Sequence, residues 1–339
     1  MKPRVCVSAW FRRVTAFPRT ASVRRMAAAL AACLLVAGPL LSGCDGNAAP
    51  AKVSLQLNWL HEAEFAGYYV AQAKGFYEDQ GLDVTILEGG PGKPAKDGVL
   101  NGEVTFAVTS FAEQRDLVTS GAPSVAVMSA FQIPPLVIFS LETSGIGDPR
   151  DLAGKKVGVT TEYWRKVLRQ TLEAAGADPT SVIEVKVEVN DLEKLYDGTV
   201  DAWLGYVQDE PIRAKVAGHP VVNMFPADFG IGGYEGLVIA AQSTLDSSPQ
   251  MVEAFVAASV QGWRYAIEHP DEAAEILTDW APDTTPAFQK LAVRAVAPLV
   301  DTPQVPIGWI DAGRWRQMMG EVYTPDQPGY TMQFSPVSP

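Results

Sequence analysis

An amide and an indole stand side by side at Asn58-Trp59, directly after the alternating run Leu55-Gln56-Leu57. Such alternation marks a half-buried strand, so the pair falls at a strand's carboxyl end. An aromatic face beside an amide can seat a small flat solute. Two hydroxyls, Thr109-Ser110, follow a second apolar run at 104–108 in the same way, and Thr161, Tyr163 and Trp164 follow a third at 156–159. Missing residue types narrow the chemistry further. The cysteines are Cys6, Cys33 and Cys44, and His61, His219 and His269 are far apart. Beyond residue 44 there is then no disulfide, thiolate nucleophile or cysteine metal site, and neither a histidine zinc site nor a Ser-His-Asp triad is expected. The pattern predicts a binding protein with no catalytic residue, no metal and no cofactor.

The first 43 residues form a separate object. They hold seven Lys or Arg and no acid, then an apolar run from Ala27 to Leu41. Those fifteen residues are short for a bilayer span and suit the core of a secretory signal. The run ends in Leu41-Ser42-Gly43-Cys44, which resembles the bacterial lipobox, whose cysteine takes a diacylglycerol and becomes the mature N-terminus. The expectation is a signal peptide over 1–43, lipidation at Cys44 and a flexible tether over 44–51. Loss of the seven leader cations takes the formal charge from −12 to −19. A surface that acidic repels nucleic acid and anionic lipid, leaving the lipid anchor as the only predicted membrane contact.

The elements that must hold the candidate residues alternate. Strands are predicted at 53–58, 82–87, 104–108, 124–129, 136–141, 156–159, 182–188, 200–204, 221–225 and 237–241. Helices are predicted near 64–73, 93–101, 111–119, 163–175, 191–197 and 209–217, with Gly176 stopping the fourth. After Tyr234 the chain turns mainly helical, with helices from Pro249, from Pro270 to Trp280, over 286–297 and from Ala312 to Val322. Strand–helix–strand units require a parallel sheet, and ligands of such sheets sit at the carboxyl ends of the strands. The class is α/β, in two lobes, with the C-terminal helices returning to the first.

Several strings in fixed order carry a resemblance. They are Asn58-Trp59 with Glu64-Phe65-Ala66-Gly67-Tyr68-Tyr69, Lys74-Gly75-Phe76-Tyr77 and Gly102-Glu103-Val104-Thr105-Phe106-Ala107-Val108. Leu152-Ala153-Gly154-Lys155-Lys156-Val157-Gly158-Val159, Val200-Asp201-Ala202-Trp203-Leu204-Gly205-Tyr206 with Glu210-Pro211, and Asp228-Phe229-Gly230 continue them. Over nearly the whole chain past the leader, the sequence resembles ABC-transporter solute-binding proteins of the group that includes thiamine-pyrimidine-precursor and riboflavin binders, with more distant nitrate and sulfonate binders. The resemblance implies a two-lobe periplasmic-binding-protein fold of type II, with the lobes joined by a two-strand hinge and closing on a small-molecule solute. It places one lobe over 52–138 plus 240–339 and the other over 139–239, with crossings near 138–142 and 234–240. It implies a monomer outside the cytoplasm, lipid-anchored to a bacterial membrane, with an ABC permease as partner.

The same resemblance sharpens the site. Trp59 is expected to stack on the solute, and Phe65, Tyr68 and Tyr69 share the following helix with the core. Thr109 and Ser110 either bind the solute or cap the next helix, in which Glu113 lies one turn along. Thr161 and Tyr163 hold the equivalent strand end in the second lobe, and Trp164 is a candidate second slice of an aromatic sandwich. Tyr206 and Glu210 follow another strand, where a carboxylate suits an aminopyrimidine, with an ion pair to Arg213 as the plainer use. Asp228 is a ligand acceptor or an Asx turn. Two departures bear on the ligand. The group includes pyrimidine synthases that consume an active-site histidine and carry a cysteine cluster, and this chain lacks the cluster. Where the group has a Gly-rich loop, this chain has Thr160-Thr161-Glu162-Tyr163-Trp164, which exchanges an anion cradle for aromatics. A heteroaromatic solute is therefore expected ahead of a sulfonate or nitrate, for which only Lys93, Lys96 or Arg165 lie near loop ends.

Overall fold

The computed structural model describes residues 49–93 and 95–338; the expectations on residues 1–43 and on Cys44 lie outside the described residues. The chain begins with β1 (Ala51–Gln56), α1 (Ala66–Ala73), α2 (Phe76–Asp79), β2 (Leu82–Leu87), α3 (Ala95–Leu100), β3 (Phe106–Thr109), α4 (Phe111–Thr119) and β4 (Ser124–Phe131). It continues with β5 (Leu136–Leu141), β6 (Lys156–Val159), α5 (Glu162–Ala174), β7 (Ile183–Lys186), α6 (Glu193–Tyr196), β8 (Ala202–Tyr206), α7 (Glu210–Val216) and β9 (Val221–Met224). It closes with β10 (Glu235–Ala241), α8 (Gln242–Ser247), α9 (Pro249–Glu268), α10 (Pro270–Trp280), α11 (Pro286–Val300) and α12 (Ala312–Met319). Local chemistry explains the boundaries. Ser110, Thr161, Thr285 and Asp311 each cap a helix by accepting a backbone N–H. Pro249, Pro270 and Pro286 open theirs, where a missing N–H costs nothing.

The strands form two five-stranded sheets, ordered β2-β1-β3-β10-β4 and β7-β6-β8-β5-β9. In each, the strand arriving from the other lobe, β10 or β5, runs antiparallel between two strands of the host lobe. The remaining pairs, β1 with β2 and β3, and β6 with β7 and β8, are parallel. Sequence order reverses at β1/β3 in one sheet and at β6/β8 in the other. Those are the switch points outside which α/β sheets bind ligands.

The lobe boundaries differ from the expected ones. Strand β5 pairs with β8 and β9 in the second sheet, so the first crossing is 132–135 rather than 138–142. The return crossing lies over 225–234, just ahead of the expected 234–240, because β10 already starts at Glu235 in the first sheet. Buried strands on either side of Pro134-Pro135 read alike as apolar runs, so a strand's own sequence does not reveal which sheet it joins. The crossings leave and return through neighbouring strands, with Glu235 opposite Phe131. They touch at Gly232, where φ is 109° and a Cβ would sit 2.7 Å from Pro134. One apolar cluster spans this hinge, from Phe106, Phe255 and Trp263 in the first lobe to Phe139 and Trp203 in the second.

Candidate functional site

The two switch points face one another across a cavity of about 610 Å³. From the first lobe it is lined by Asn58 after β1, Gly90, Gly92 and Lys93 after β2, Ser110 and Glu113 after β3, and Glu235 at the start of β10. Tyr163 after β6 and Tyr206 at the end of β8 supply the opposite wall. The loop after β2 is pressed onto the Asn58 turn: a Cβ on Gly89 would lie 2.2 Å from the Leu57 carbonyl, so glycine is required there. Gly90, at φ 118°, then turns the chain back towards the cavity.

Hydrogen bonds hold the polar groups. Ser110 Oγ accepts the Glu113 N–H at 3.2 Å, capping α4 while lining the cavity. The Thr109 hydroxyl donates to Glu113 Oε2 at 2.6 Å, and Lys96 Nζ to Oε1 at 3.2 Å, so that cation is spoken for. Lys93 stands at the rim, its side chain 57% exposed and 3.6 Å from Glu88. Asn58 Oδ1 is buried and bonded to nothing. Burial, then the neighbouring Glu64 and Glu113, pushes the Glu235 carboxyl up to about 8. Its neighbour Glu64 is also raised to about 8, by burial and then by Asp209. Burial and Glu235 raise the Tyr163 and Tyr206 phenols, so both stay neutral donors. The cavity thus offers acceptors, one proton-holding carboxyl in Glu235 and two aromatic rings, with one cation at its edge.

Five expected residues, Asn58, Ser110, Glu113, Tyr163 and Tyr206, meet here, and the others do not line the cavity. Phe65, Tyr68 and Tyr69 are at most 1% exposed, because the α1 stripe faces the core: Tyr68 packs edge-on to Trp263 and Tyr69 stacks on Trp280 at 4.8 Å. Trp164 packs behind Tyr206, at 5.1 Å, in the second-lobe core, so it is no slice of a sandwich. Thr161 is exposed and caps α5, and Asp228 is exposed in a short turn. Thr109 is fully buried beneath Glu113. Glu210 folds back to accept the Tyr206 N–H at 2.9 Å, while Arg213 pairs with Asp209 at 2.5 Å instead. Trp59, 38% exposed, walls a separate crevice with His61 and Trp280. Sequence reasoning missed Glu235, which follows Gly232-Gly233-Tyr234 and carries no local signal of its own.

Among the described residues no group of three or more His, Cys, Asp or Glu is placed to hold a metal ion. Comparison with known proteins gives the chain's relatives. It is 28% identical to the formylaminopyrimidine-binding protein of Halalkalibacterium halodurans, covering 84% of this chain and 90% of that one. It is 27% identical to the 4-amino-5-hydroxymethyl-2-methylpyrimidine phosphate synthase of Legionella pneumophila, over 72% and 79% of the two chains. The periplasmic aliphatic sulphonate binding protein SsuA of Escherichia coli superposes with a TM-score of 0.63 at 16% identity, covering 80% of this chain and 85% of that one, and so shares the periplasmic-binding-protein fold. The NMT1/THI5 like family model matches residues 62–273, and the chain belongs to that family.

Proposed function

We propose that the protein is a non-catalytic solute receptor outside the cytoplasm, tethered through Cys44, that carries an aminopyrimidine-type heteroaromatic solute to an ABC permease. The observation that supports this reading is the pairing of Tyr163 and Tyr206 from one lobe with Asn58 and Glu235 from the other around one cavity. Its volume of about 610 Å³ is that of a small-molecule site. A flat ring lies against the tyrosines. Its amino group donates to the unpartnered Asn58 Oδ1 and to Glu235, while a protonated Glu235 donates to a ring nitrogen. With contacts from both lobes, the solute stabilises the closed pair, and closure reports occupancy to the permease. Sulfonate or nitrate would meet Glu113 and Glu235, and the cation at the rim, Lys93, is already paired with Glu88.

Relatives divide between binding protein and synthase, and the chemistry of the cavity favours binding. None of its lining residues is a histidine, and His61 is held outside it, with Nδ1 2.8 Å from the Tyr69 hydroxyl. Thermal-shift measurements against 4-amino-5-hydroxymethyl-2-methylpyrimidine, riboflavin, taurine and nitrate test the reading. The pyrimidine should raise the melting temperature most, and a shift by the anions alone would overturn it. Consumption of pyridoxal phosphate by the purified protein would move the assignment to the synthases.

A further inference from the structure

The end of α11 and the segment running into α12 hold both crossings at the edge of the first lobe. On the outgoing side, the Gln132 and Ile133 N–H groups both donate to the Leu299 carbonyl, at 2.8 and 3.0 Å. Gln132 Nε2 donates to the Trp309 carbonyl at 2.8 Å, and the Gln132 carbonyl accepts from Arg314 Nη1. On the returning side, Tyr234 is fully buried, and its hydroxyl accepts the Asp311 N–H at 2.9 Å. Its carbonyl accepts the N–H of Phe111, the residue after Ser110 in the cavity wall, also at 2.9 Å.

One side chain joins the two sides. The Arg314 guanidinium that donates to Gln132 also lies over the Tyr234 ring, 4.3 Å from its centroid. Arg314 and Met318 stand one turn apart on the same face of α12. Met318 and Phe111 close on Gly233 so tightly that a Cβ there would lie 2.9 Å from each. That face is therefore seated on the returning crossing. Asp311, which caps α12 by accepting the Arg314 N–H at 2.7 Å, is itself the donor to the Tyr234 hydroxyl. Beyond Arg314 the crossings meet again at Pro134 and Gly232, and Pro134 and Pro135 have no N–H to tie to either lobe.

We propose that Arg314 is a positioning residue for the solute site: it clamps the Gln132 carbonyl and the Tyr234 ring together, which fixes Glu235 in the cavity and sets the lobes to pivot at Pro134 and Gly232. Glu235 follows Tyr234 directly and pairs with Phe131, the residue before Gln132, so the clamp grips the end of one strand pair. The Ser129 hydroxyl braces the same end, 2.9 Å from the Phe131 carbonyl and 3.3 Å from that of Glu235. Without the guanidinium the pivot moves back into β10, and Glu235 loses its place although Arg314 does not line the cavity. The effect on binding rests on the reading of Glu235 as a solute contact; the clamp itself does not.

Hydrogen-exchange mass spectrometry on the purified, unliganded protein tests the clamp. Arg314→Ala should speed exchange about fivefold or more in peptides covering 129–133 and 232–237, with β1 and β6 unchanged. Arg314→Gln keeps a donor for the Gln132 carbonyl but no charge for the ring, so it should speed 232–237 alone. That variant decides the matter if Arg314→Ala misfolds. Titration with 4-amino-5-hydroxymethyl-2-methylpyrimidine then tests the positioning. Arg314→Ala should weaken binding about tenfold in the wild type and in Tyr163→Ala, but less than about twofold in Glu235→Ala. Unchanged exchange at 232–237 in either variant would overturn the clamp, and a loss that simply adds to that of Glu235→Ala would overturn the positioning. If the pyrimidine fails to bind the wild type, the solute assignment falls, and the exchange result still decides the clamp.

Discussion

Gln208 of the second lobe donates to Oε2 of Glu64 in the first across 3.3 Å, a direct side-chain hydrogen bond between the lobes. Around it the acids are crowded. Glu62 and Glu64 come from one lobe and Asp209 and Glu210 from the other; burial raises all four carboxyls, and neighbouring acids push Glu62, Glu64 and Glu210 further up. Glu64, Glu210 and Glu235 each reach about 8. A carboxyl raised in the folded state binds a proton that the unfolded chain has already lost, so stability falls as pH rises between the ordinary carboxylate value and the folded one. The melting temperature should therefore fall from pH 5 to pH 8.5, and Glu64→Gln should flatten that fall. Asp148, drawn down to about 2 by Arg150, acts below this window and does not offset it. Scanning calorimetry across the range checks the slope, and a rising melting temperature would contradict it.

Glu235 and its neighbours should dominate solute affinity. Glu235→Ala or Asn58→Ala removes a buried partner of the ring substituents, at about 1.5–3 kcal/mol each, or roughly tenfold to a hundredfold in Kd. Glu235→Gln should lose less, because its amide still presents one acceptor and one donor. Titration calorimetry with the best solute from the thermal-shift series supplies the comparison.

Tyr163 and Trp164 are sequence neighbours with opposite duties. Tyr163 is 40% exposed and faces the cavity, whereas Trp164 is 8% exposed in the second-lobe core. Tyr163→Ala should weaken solute binding several-fold, about 0.5–1.5 kcal/mol of ring contact, while leaving the unliganded melting temperature unchanged. Trp164→Ala should instead cost about 3–5 kcal/mol of stability. Paired denaturation and binding curves on the two variants should show this crossing pattern. Equal effects on both readouts would erase the distinction.

Helices α1 and α9 approach closely at two glycines. A Cβ on Gly67 would lie 2.2 Å from the Trp263 ring, and one on Gly262 would lie 2.1 Å from the Gly67 carbonyl. Neither neighbour can yield cheaply, since one is a fully buried indole and the other is backbone. Gly67→Ala or Gly262→Ala should destabilise by about 1–3 kcal/mol or more, read as a lower urea midpoint with unchanged slope.

Element type was largely legible along the chain. All ten strands and the main helices fall within about three residues of where alternation, caps and helix-opening prolines place them. Periodicity and capping are local, so a window of residues is enough to read them. The ends of β1, β3, β6 and β8 were legible for the same reason, and with them Asn58, Ser110, Tyr163 and Tyr206. What failed was facing. The stripe of Phe65, Tyr68 and Tyr69 is aromatic whether it covers a core or a cleft, and only the docking of α9 and α10 on it decides for the core.

Sequence by itself therefore determined the α/β class, the alternation and the absence of cysteine beyond residue 44, because these are properties of composition and short-range pattern. Tertiary structure alone decided which strand crosses between lobes, which of two adjacent aromatics meets the cavity, and that Glu235 joins Asn58 there. Those outcomes depend on pairing between segments more than a hundred residues apart, such as Glu235 opposite Phe131 and Gln208 against Glu64. No local window contains both partners of such a pair.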